Sequence, residues 1–572
     1  MNFQTAVLKL LGSIVMASIL LSVATRHSYA QQAVRPAESE RTLTDAELGG
    51  DPALNFQIQL TSKSLSVEEA LLRLSENSKG KLTFTALESL KPRHLTLFFA
   101  KATTLQAMRG IAFSARGSWR KNSAGYELFQ TKGQLAEEKN AILRSESREA
   151  ASANARMNAL KEAIEKSKDT DFGKYLATID QERLLLALET SGEPEGVMSA
   201  TDQSHLHSQF LFSQPTYELS AEAQNAVGAM LGQPANGQFA NVAPIEHIPG
   251  DSTTQVGLVA YAGGLMLGTV TQDGSDVSIS PDHLIQKKGI PGVDSDSGGE
   301  AEVEEAIKNR TLVFIDRMPL AMQRIPMKFV QGRERTQLST LLESIAKQLG
   351  VGVVSDDFLR SRTPQYSWLL TDQPTFTARE ALTQIASSFG KEIYFKNGAL
   401  RLRTVTLGLD LRAEPPNALM ENLAQDVVKK RTLKLAEYIM FGRLSPVQIR
   451  TLSINMPSSF VPLNLPQQVF RQWAPLRVLA SLNEKRLADA EGERGLNYQA
   501  MSGEERKLFL RSALSGLPQL KIRKASASTS PNPKNAFFVK RSENSFVLRF
   551  FTDQGREKAF VYPLEPEKKS EK

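Results

Sequence analysis

One supersecondary order runs twice along this chain, near residues 56–131 and again near 325–404. A repeat of this kind limits the possible folds more than any single residue does, because the same compact unit must be built twice. In the first copy Phe56, Ile58 and Leu60 alternate, as a half-buried strand requires. Val67, Ala70, Leu71 and Leu74 then fall at i, i+3, i+4 and i+7, the stripe of an amphipathic helix, and Ser66 with Glu69 makes a capping box at its start. Leu82/Phe84 and Leu95/Leu97/Phe99 predict two more strands. Leu105, Met108, Ala112 and Ala115 predict a second helix, and Trp119 and Tyr126/Leu128 flank a turn at 122–125.

The second copy keeps the order. Met327 and Phe329 open it, and Leu338, Leu341, Leu342, Ile345 and Leu349 form a helical stripe. Val351/Val353 and Trp368/Leu370 read as middle strands. Ala378, Ala381, Leu382, Ile385 and Phe389 read as the second helix, with Thr377 and Glu380 as its capping box. Ile393, Tyr394 and Phe395 lead into Asn397-Gly398 and then Leu400/Leu402. Asn-Gly between alternating strands is a strong hairpin signal, because both turn residues need positive φ.

This β-α-β-β-α-β-β order resembles the secretin and TonB-receptor short N-terminal (STN) domain. The similarity is carried by Leu65 to Ser78 and Thr104 to Met108 in the first copy, and by Leu338 to Leu342 and Ala378 to Leu382 in the second. Together the copies span roughly a quarter of the chain. The resemblance implies periplasmic protein-interaction modules of the sort that precede an outer-membrane channel or receptor barrel. After residue 404 there is no series of about 10-residue alternating strands with aromatic girdles, as a membrane barrel needs. The resemblance therefore extends to the modules and stops there.

The N-terminus predicts export. Lys9 precedes an apolar run from Leu10 to Ala24, and Ser28-Tyr29-Ala30 places small residues at the −3 and −1 positions of a signal-peptide cleavage site. Cleavage after Ala30 removes Lys9 and Arg26 and takes the net charge from +7 to +5. The chain has no cysteine, which excludes disulfides, thiol chemistry and a lipidated cysteine. The expected address is the periplasm or the periphery of the outer membrane. Export argues against nucleic acid as a partner.

The sequence predicts an α+β, multidomain protein. The expected order is a signal peptide (1–30), a linker (31–52), the first STN-like module (53–132), a helical connector (133–190) and a Gly/Pro/Ser-rich β-containing region (191–310). A second module (311–406), a mainly helical region (407–522), a C-terminal β-meander (523–563) and a charged, disordered tail (564–572) follow. The connector, rich in Ala, Glu, Lys and Arg, reads as a long solvated helix with a thin seam at Ile142, Leu143, Leu160, Ala163 and Ile164. Within 191–310, Val256 to Tyr261 and Leu265 to Val270 read as a hairpin.

Candidate chemistry is sparse. His205-x-His207 would put two imidazoles on one strand face, with Asp202 the one nearby third ligand. Counting Asp294 as the first position of a calcium loop puts Gly299 at the sixth and Glu305 at the twelfth. Gly298 supplies no side-chain oxygen at the fifth, and a flexible acidic linker accounts for the same residues. No nucleophile elbow, zinc-protease motif or phosphate loop is present. Trp119, Trp368 and Trp473 sit in apolar patterns and read as core. These readings assign no catalytic, cofactor-binding or metal-binding residue. They point to a non-enzymatic adaptor whose partner is an envelope protein, either a secretin-like channel or a transmembrane regulator. The alternatives are a scaffold binding peptidoglycan or other glycan, and a hydrolase with a diffuse site.

Overall fold

The computed structural model describes residues 41–78, 81–167, 171–177, 210–215, 254–261, 264–271, 277–280, 317–326, 337–362, 375–422, 433–455, 473–514, 536–551 and 557–564, with a few isolated positions between them. The chain is α+β, with helices packed on several small sheets. The signal-peptide residues, Met327, Phe329, Trp368 and Leu370, the His205/His207 pair and the Asp294 to Glu305 loop lie outside the described residues.

Helix α1 (Asp45–Gly49) and a 3-10 turn at Pro52–Leu54 precede β1 (Gln57–Ser66), α2 (Val67–Asn77), β2 (Thr83–Ala86), β3 (His94–Thr103), α3 (Thr104–Ala115), β4 (Ser118–Asn122) and β5 (Gly125–Phe129). Residues 41–52, which read as linker, are folded onto this unit. Leu48 and Leu54 enter its core, and the Leu43 N–H donates to Trp119 O. The polar composition of the stretch hides Leu48, which packs beside Leu54 of the expected module and is enough to seat a short segment.

Strands pass into helices without a linker, because the last strand residue is itself the cap. Ser66 accepts from the Glu69 N–H while Glu69 reaches back to Ser66, and Thr103 with Gln106 does the same for α3. Each such cap is worth about 1 kcal/mol. β1 pairs antiparallel with β3; β2 pairs parallel with β5, and β5 antiparallel with β4.

Helix α4 (Lys132–Ser167) follows, then α5 (Asp171–Ala177). Strands β6 (Phe210–Pro215), β7 (Thr254–Tyr261), β8 (Gly264–Thr271) and β9 (Val277–Ser280) form an antiparallel sheet in sequence order, and the hairpin expected at 256–270 is its β7–β8 pair.

The second segment comprises β10 (Arg324–Ile325), α6 (Leu338–Leu349), β11 (Gly352–Asp356), a 3-10 turn at Leu359–Ser361, β12 (Phe376–Thr377), α7 (Ala378–Phe389), β13 (Lys391–Lys396) and β14 (Ala399–Thr404). Its pairings follow the same scheme as the first: β10 antiparallel to β12, β11 parallel to β14, and β14 antiparallel to β13. Thr377 and Glu380 cap α7 reciprocally. Asn397 and Gly398 both take positive φ, 54° and 74°, as the hairpin turn requires.

The two segments are joined. β3 pairs antiparallel with β11, giving one five-stranded sheet in the order β1-β3-β11-β14-β13. Alternate residues of the shared strands face different cores: Leu95, Leu97, Phe99, Val354 and Ala399 line the first, and Phe98, Val353, Leu400 and Leu402 the second. Burial on both faces is why β3 reads as an apolar run.

Beyond β14 come α8 (Leu407–Ala413), α9 (Asn417–Asn422), α10 (Leu435–Arg443), α11 (Pro446–Asn455), α12 (Trp473–Ser481), α13 (Glu484–Glu491), β15 (Leu496–Asn497), α14 (Gly503–Leu514), β16 (Ala536–Arg541), β17 (Ser545–Phe551) and β18 (Glu557–Pro563). The sequence reads this stretch as a helical region followed by a meander and leaves open whether they form one domain or two; the two share one core. Tyr438, Phe441, Trp473 and Leu476 from the helices pack with Phe537, Phe546, Phe550 and Tyr562 from the sheet. Tyr438 Oη donates to Pro563 O at 2.8 Å, and Trp473 Nε1 to Phe441 O at 2.9 Å.

Candidate functional site

The seam between the two repeat segments gathers much of the buried charge, including Asp356, Lys391 and Arg401. Helix α3 of the first segment lies across β11 and β14 of the second. The approach is close because Gly110 has no side chain: a Cβ there would stand 2.6 Å from Val354 Cγ1. Ser114 Oγ donates to Leu402 O at 2.9 Å, and Arg116 Nη2 donates to Thr404 O at 2.5 Å.

Beneath these contacts lies an ion-pair network. Lys391, the first residue of β13, is fully buried, and its Nζ donates to Asp356 Oδ1 at 2.5 Å and to Asp356 O at 3.1 Å. Asp356 Oδ2 accepts the Thr404 N–H at 2.7 Å. Burial pushes the Asp356 carboxyl above its usual range, against the pull of Lys391, the Thr404 N–H and Arg116. Asp410 on α8 accepts from Thr404 Oγ1 and Thr406 Oγ1, and from Arg360 Nε at 2.9 Å. Burial opposes the Asp410 charge, but Arg360 and the two hydroxyls outweigh it and hold the carboxyl below the ordinary range. A small cavity adjoins the network, lined in part by Arg93, Ser114, Arg116, Asp356 and Phe358.

The network continues to the C-terminal unit. Glu414, at the end of α8, accepts the Leu359 N–H at 2.9 Å, and its own carbonyl accepts from Gln448 Nε2 at 2.8 Å. Burial pushes this carboxyl up to about 7. Nearby, Arg362 pairs with Asp357 and donates to Ser64 Oγ on β1 at 3.2 Å, and Ser64 meets His94 Nδ1 at 3.2 Å.

Helix α4 departs from the expected solvated connector. Glu138 is buried and accepts from Arg93 at 2.7 and 2.8 Å, and Arg412 on α8 reaches Ser145 and Glu149. A Cβ at Gly408 would stand 2.1 Å from Ala141 O, so α8 and α4 touch backbone to backbone. Leu135 and Leu143 remain exposed, which agrees with a helix docked along one side.

The sequence placed none of the seam residues at a site. Lys391 stands directly after the helix-closing Gly390, where a core residue would be expected, and Asp356 ends an apolar strand. Those two misplaced charges are the readable signal. Their pairing across 35 positions is not. Trp119 and Trp473 are core residues, with their Nε1 atoms bonded to the carbonyls of Met108 and Phe441.

Among the described residues no three His, Asp or Glu side chains converge as metal ligands, and no helix is long and apolar enough to cross a membrane. The described residues of the five-stranded sheet end at β1, a ten-residue edge strand whose Gln57, Gln59, Thr61 and Lys63 are exposed. Comparison with protein-family models, curated proteins and solved structures returns no match for this chain.

Proposed function

We propose that the chain is an exported cell-envelope adaptor, without enzymatic activity, that recruits a protein partner through two fused STN-like modules. One observation carries the reading. Both segments have the same element order and the same strand pairings, and β3 of the first pairs with β11 of the second in a single five-stranded sheet. Such a platform has a use that needs no reactive side chain. An extended segment of a partner adds to an exposed edge, main-chain hydrogen bonds supply affinity, and alternate side chains supply specificity. β1 is the edge we assign to this role. Its two bulges, between Ile58 and Leu60 and between Ser62 and Leu65, leave Leu60 to Ser62 as the regular stretch between them. Bulged edges resist pairing, so the regular stretch between the bulges is the part of β1 open to strand addition.

The partner class is an outer-membrane secretion channel or the periplasmic part of a transmembrane regulator, and the site of action is the periplasm or the periphery of the outer membrane. The signal-peptide pattern ending at Ala30 and the absence of cysteine from the sequence favour that address. The test is site-specific photocrosslinking. A crosslinker at Thr61 in the full chain, expressed in its native host, should trap one envelope protein, and the same group on exposed Leu135 should not. Equal or absent crosslinking at both positions overturns the assignment of β1.

A further inference from the structure

Arg401 occupies the middle of β14 on the face turned toward α3, between Ala399, which packs in the first core, and Arg403, which stacks over Phe113. It is 6% exposed, yet its Nε and Nη2 meet no hydrogen-bond partner. Desolvating guanidinium nitrogens without acceptors is costly, and a structural arginine normally spends its fork on a carboxylate or carbonyls.

Three other elements bring charge to the same place. Arg109 on α3 donates through Nε to Asp45 Oδ1 at 3.1 Å and through Nη2 to Asp45 O at 2.9 Å. Lys396, at the end of β13, donates to Asp45 Oδ2 at 3.0 Å. Asp45 opens α1, and its charge together with that of Arg109 acts on Arg401. Gln106 Nε2 bonds Asn397 O at 2.7 Å and fixes the β13–β14 turn against α3. Arg109 and Lys396 thus share one carboxylate, and the β13–β14 register puts Arg401 on the same sheet face as Lys396, one pair further along.

We propose that Arg109, Lys396 and Arg401 form a binding site for an oxyanion, a phosphate or carboxylate group carried by a small ligand, and that Asp45 is its built-in competitor. Arg401 is buried, whereas the side chains of Asp45 and Lys396 are 54% and 59% exposed. Asp45 can leave without unfolding α1, which is held separately by its Thr44/Glu47 capping box and by buried Leu48. When it leaves, Arg109 Nε and Lys396 Nζ are freed toward an incoming anion while Arg109 Nη2 keeps the Asp45 carbonyl, and arginine N–H groups suit planar and tetrahedral oxyanions. Neither arginine can lose its charge near neutral pH, so the site stays cationic. The proposal rests on this cluster and does not depend on how the repeat segments are classified.

The test is calorimetric titration of the full chain with inorganic phosphate and, separately, with glutarate, at constant ionic strength set by chloride. Asp45→Ala should bind one of the two anions roughly five-fold more tightly than the wild type, the upper range for removing a surface pair. Phosphate alone would identify a phosphate-bearing ligand, and glutarate alone a carboxylate. Adding Arg401→Met to Asp45→Ala should weaken binding at least ten-fold. That change removes an unpaired buried charge, so folding should be retained. Lys396→Gln, at an exposed position, should weaken binding about three-fold with a folding risk close to zero. No saturable heat from Asp45→Ala up to about 20 mM of either anion, or unchanged affinity with Arg401→Met, overturns the proposal.

Discussion

Replacing Lys391 by Met should convert Asp356 from an ion-paired carboxylate into a neutral acid, at a cost that grows with pH. Lys391 Nζ is fully buried and both of its hydrogen bonds go to Asp356. Without it, Asp356 keeps the Thr404 N–H and the more distant charge of Arg116. Neither can hold a buried carboxylate ionised, so the side chain takes up a proton. Protonating a group of ordinary pKa about 3.9 at pH 7 costs about 4 kcal/mol, which bounds the loss and agrees with the 3–5 kcal/mol typical of breaking a buried pair. The sign follows from linkage. In the variant the folded pKa of Asp356 lies further above its unfolded value, so stability is retained below about pH 4 and is lost as pH rises. The assay is amide hydrogen exchange of peptides covering 391–404, corrected for intrinsic rates. Exchange in Lys391→Met should be roughly 10²–10³-fold faster than in the wild type at pH 7 and much closer to it at pH 5. Adding Asp356→Asn should restore most of the protection and remove the pH dependence, because the amide oxygen still accepts from Thr404. A Lys391→Met chain within about three-fold of the wild type at pH 7, or a double variant no better than the single, would refute the reasoning.

Glu414, pushed up to about 7 by burial, contributes stability that is complete below its unfolded value near 4.5 and is lost as pH rises through 7, up to about 3 kcal/mol in all. Glu414→Gln keeps an acceptor for the Leu359 N–H and should flatten that slope, seen as a urea midpoint that changes less between pH 5 and pH 8.5 than in the wild type. Gly110→Ala sets two effects against each other. Helix propensity favours Ala by about 1 kcal/mol, while a Cβ 2.6 Å from Val354 and 3.3 Å from Phe99 overpacks the seam by about 1–3 kcal/mol. Packing should win, and a higher thermal midpoint for the alanine variant would show that α3 is not held against β11.

What could be read from the sequence follows from what is local. The capping boxes at Ser66 and Thr377, the Asn397-Gly398 turn, the helical stripes and the C-terminal meander depend on residues close along the chain, and the structure places them accordingly. The joining of the segments depends on Phe98, one apolar residue out of phase with Leu95, Leu97 and Phe99. In one strand that departure carries little weight; in the sheet it is the side chain that faces the second core. Folding of 41–52 onto the first segment depends likewise on Leu48 within a polar stretch. The charged seam was illegible because its pairs lie far apart: Asp356 with Lys391, Arg360 with Asp410, and Asp45 with Lys396.

The helix ends show where the two segments differ and why. Helix α7 closes on Gly390 at φ 60°, whereas the corresponding helix α3 closes on Arg116 at φ 55°. Glycine adopts this conformation freely, and another residue gives up roughly 1–2 kcal/mol. Arg116 is nevertheless suited to its place, since α3 ends on the seam and its guanidinium reaches Thr404 O, with Asp356 and Glu392 in its field. At the end of α7 the Gly390 carbonyl accepts the Val405 N–H at 3.0 Å, a main-chain bond that needs no side chain, and there the unstrained residue closes the helix. The same contrast holds along β13 and β14, where Arg401 and Arg403 stand on the face turned toward α3 and Ile393, Leu400 and Leu402 on the other face pack in the second core. Sites of charge and strain therefore fall where the segments meet, while each interior keeps a hydrocarbon core. A surface built this way holds its halves in fixed register, and that fixed register is what a platform for strand addition and an anion cluster drawn from α1, α3 and β13–β14 both require.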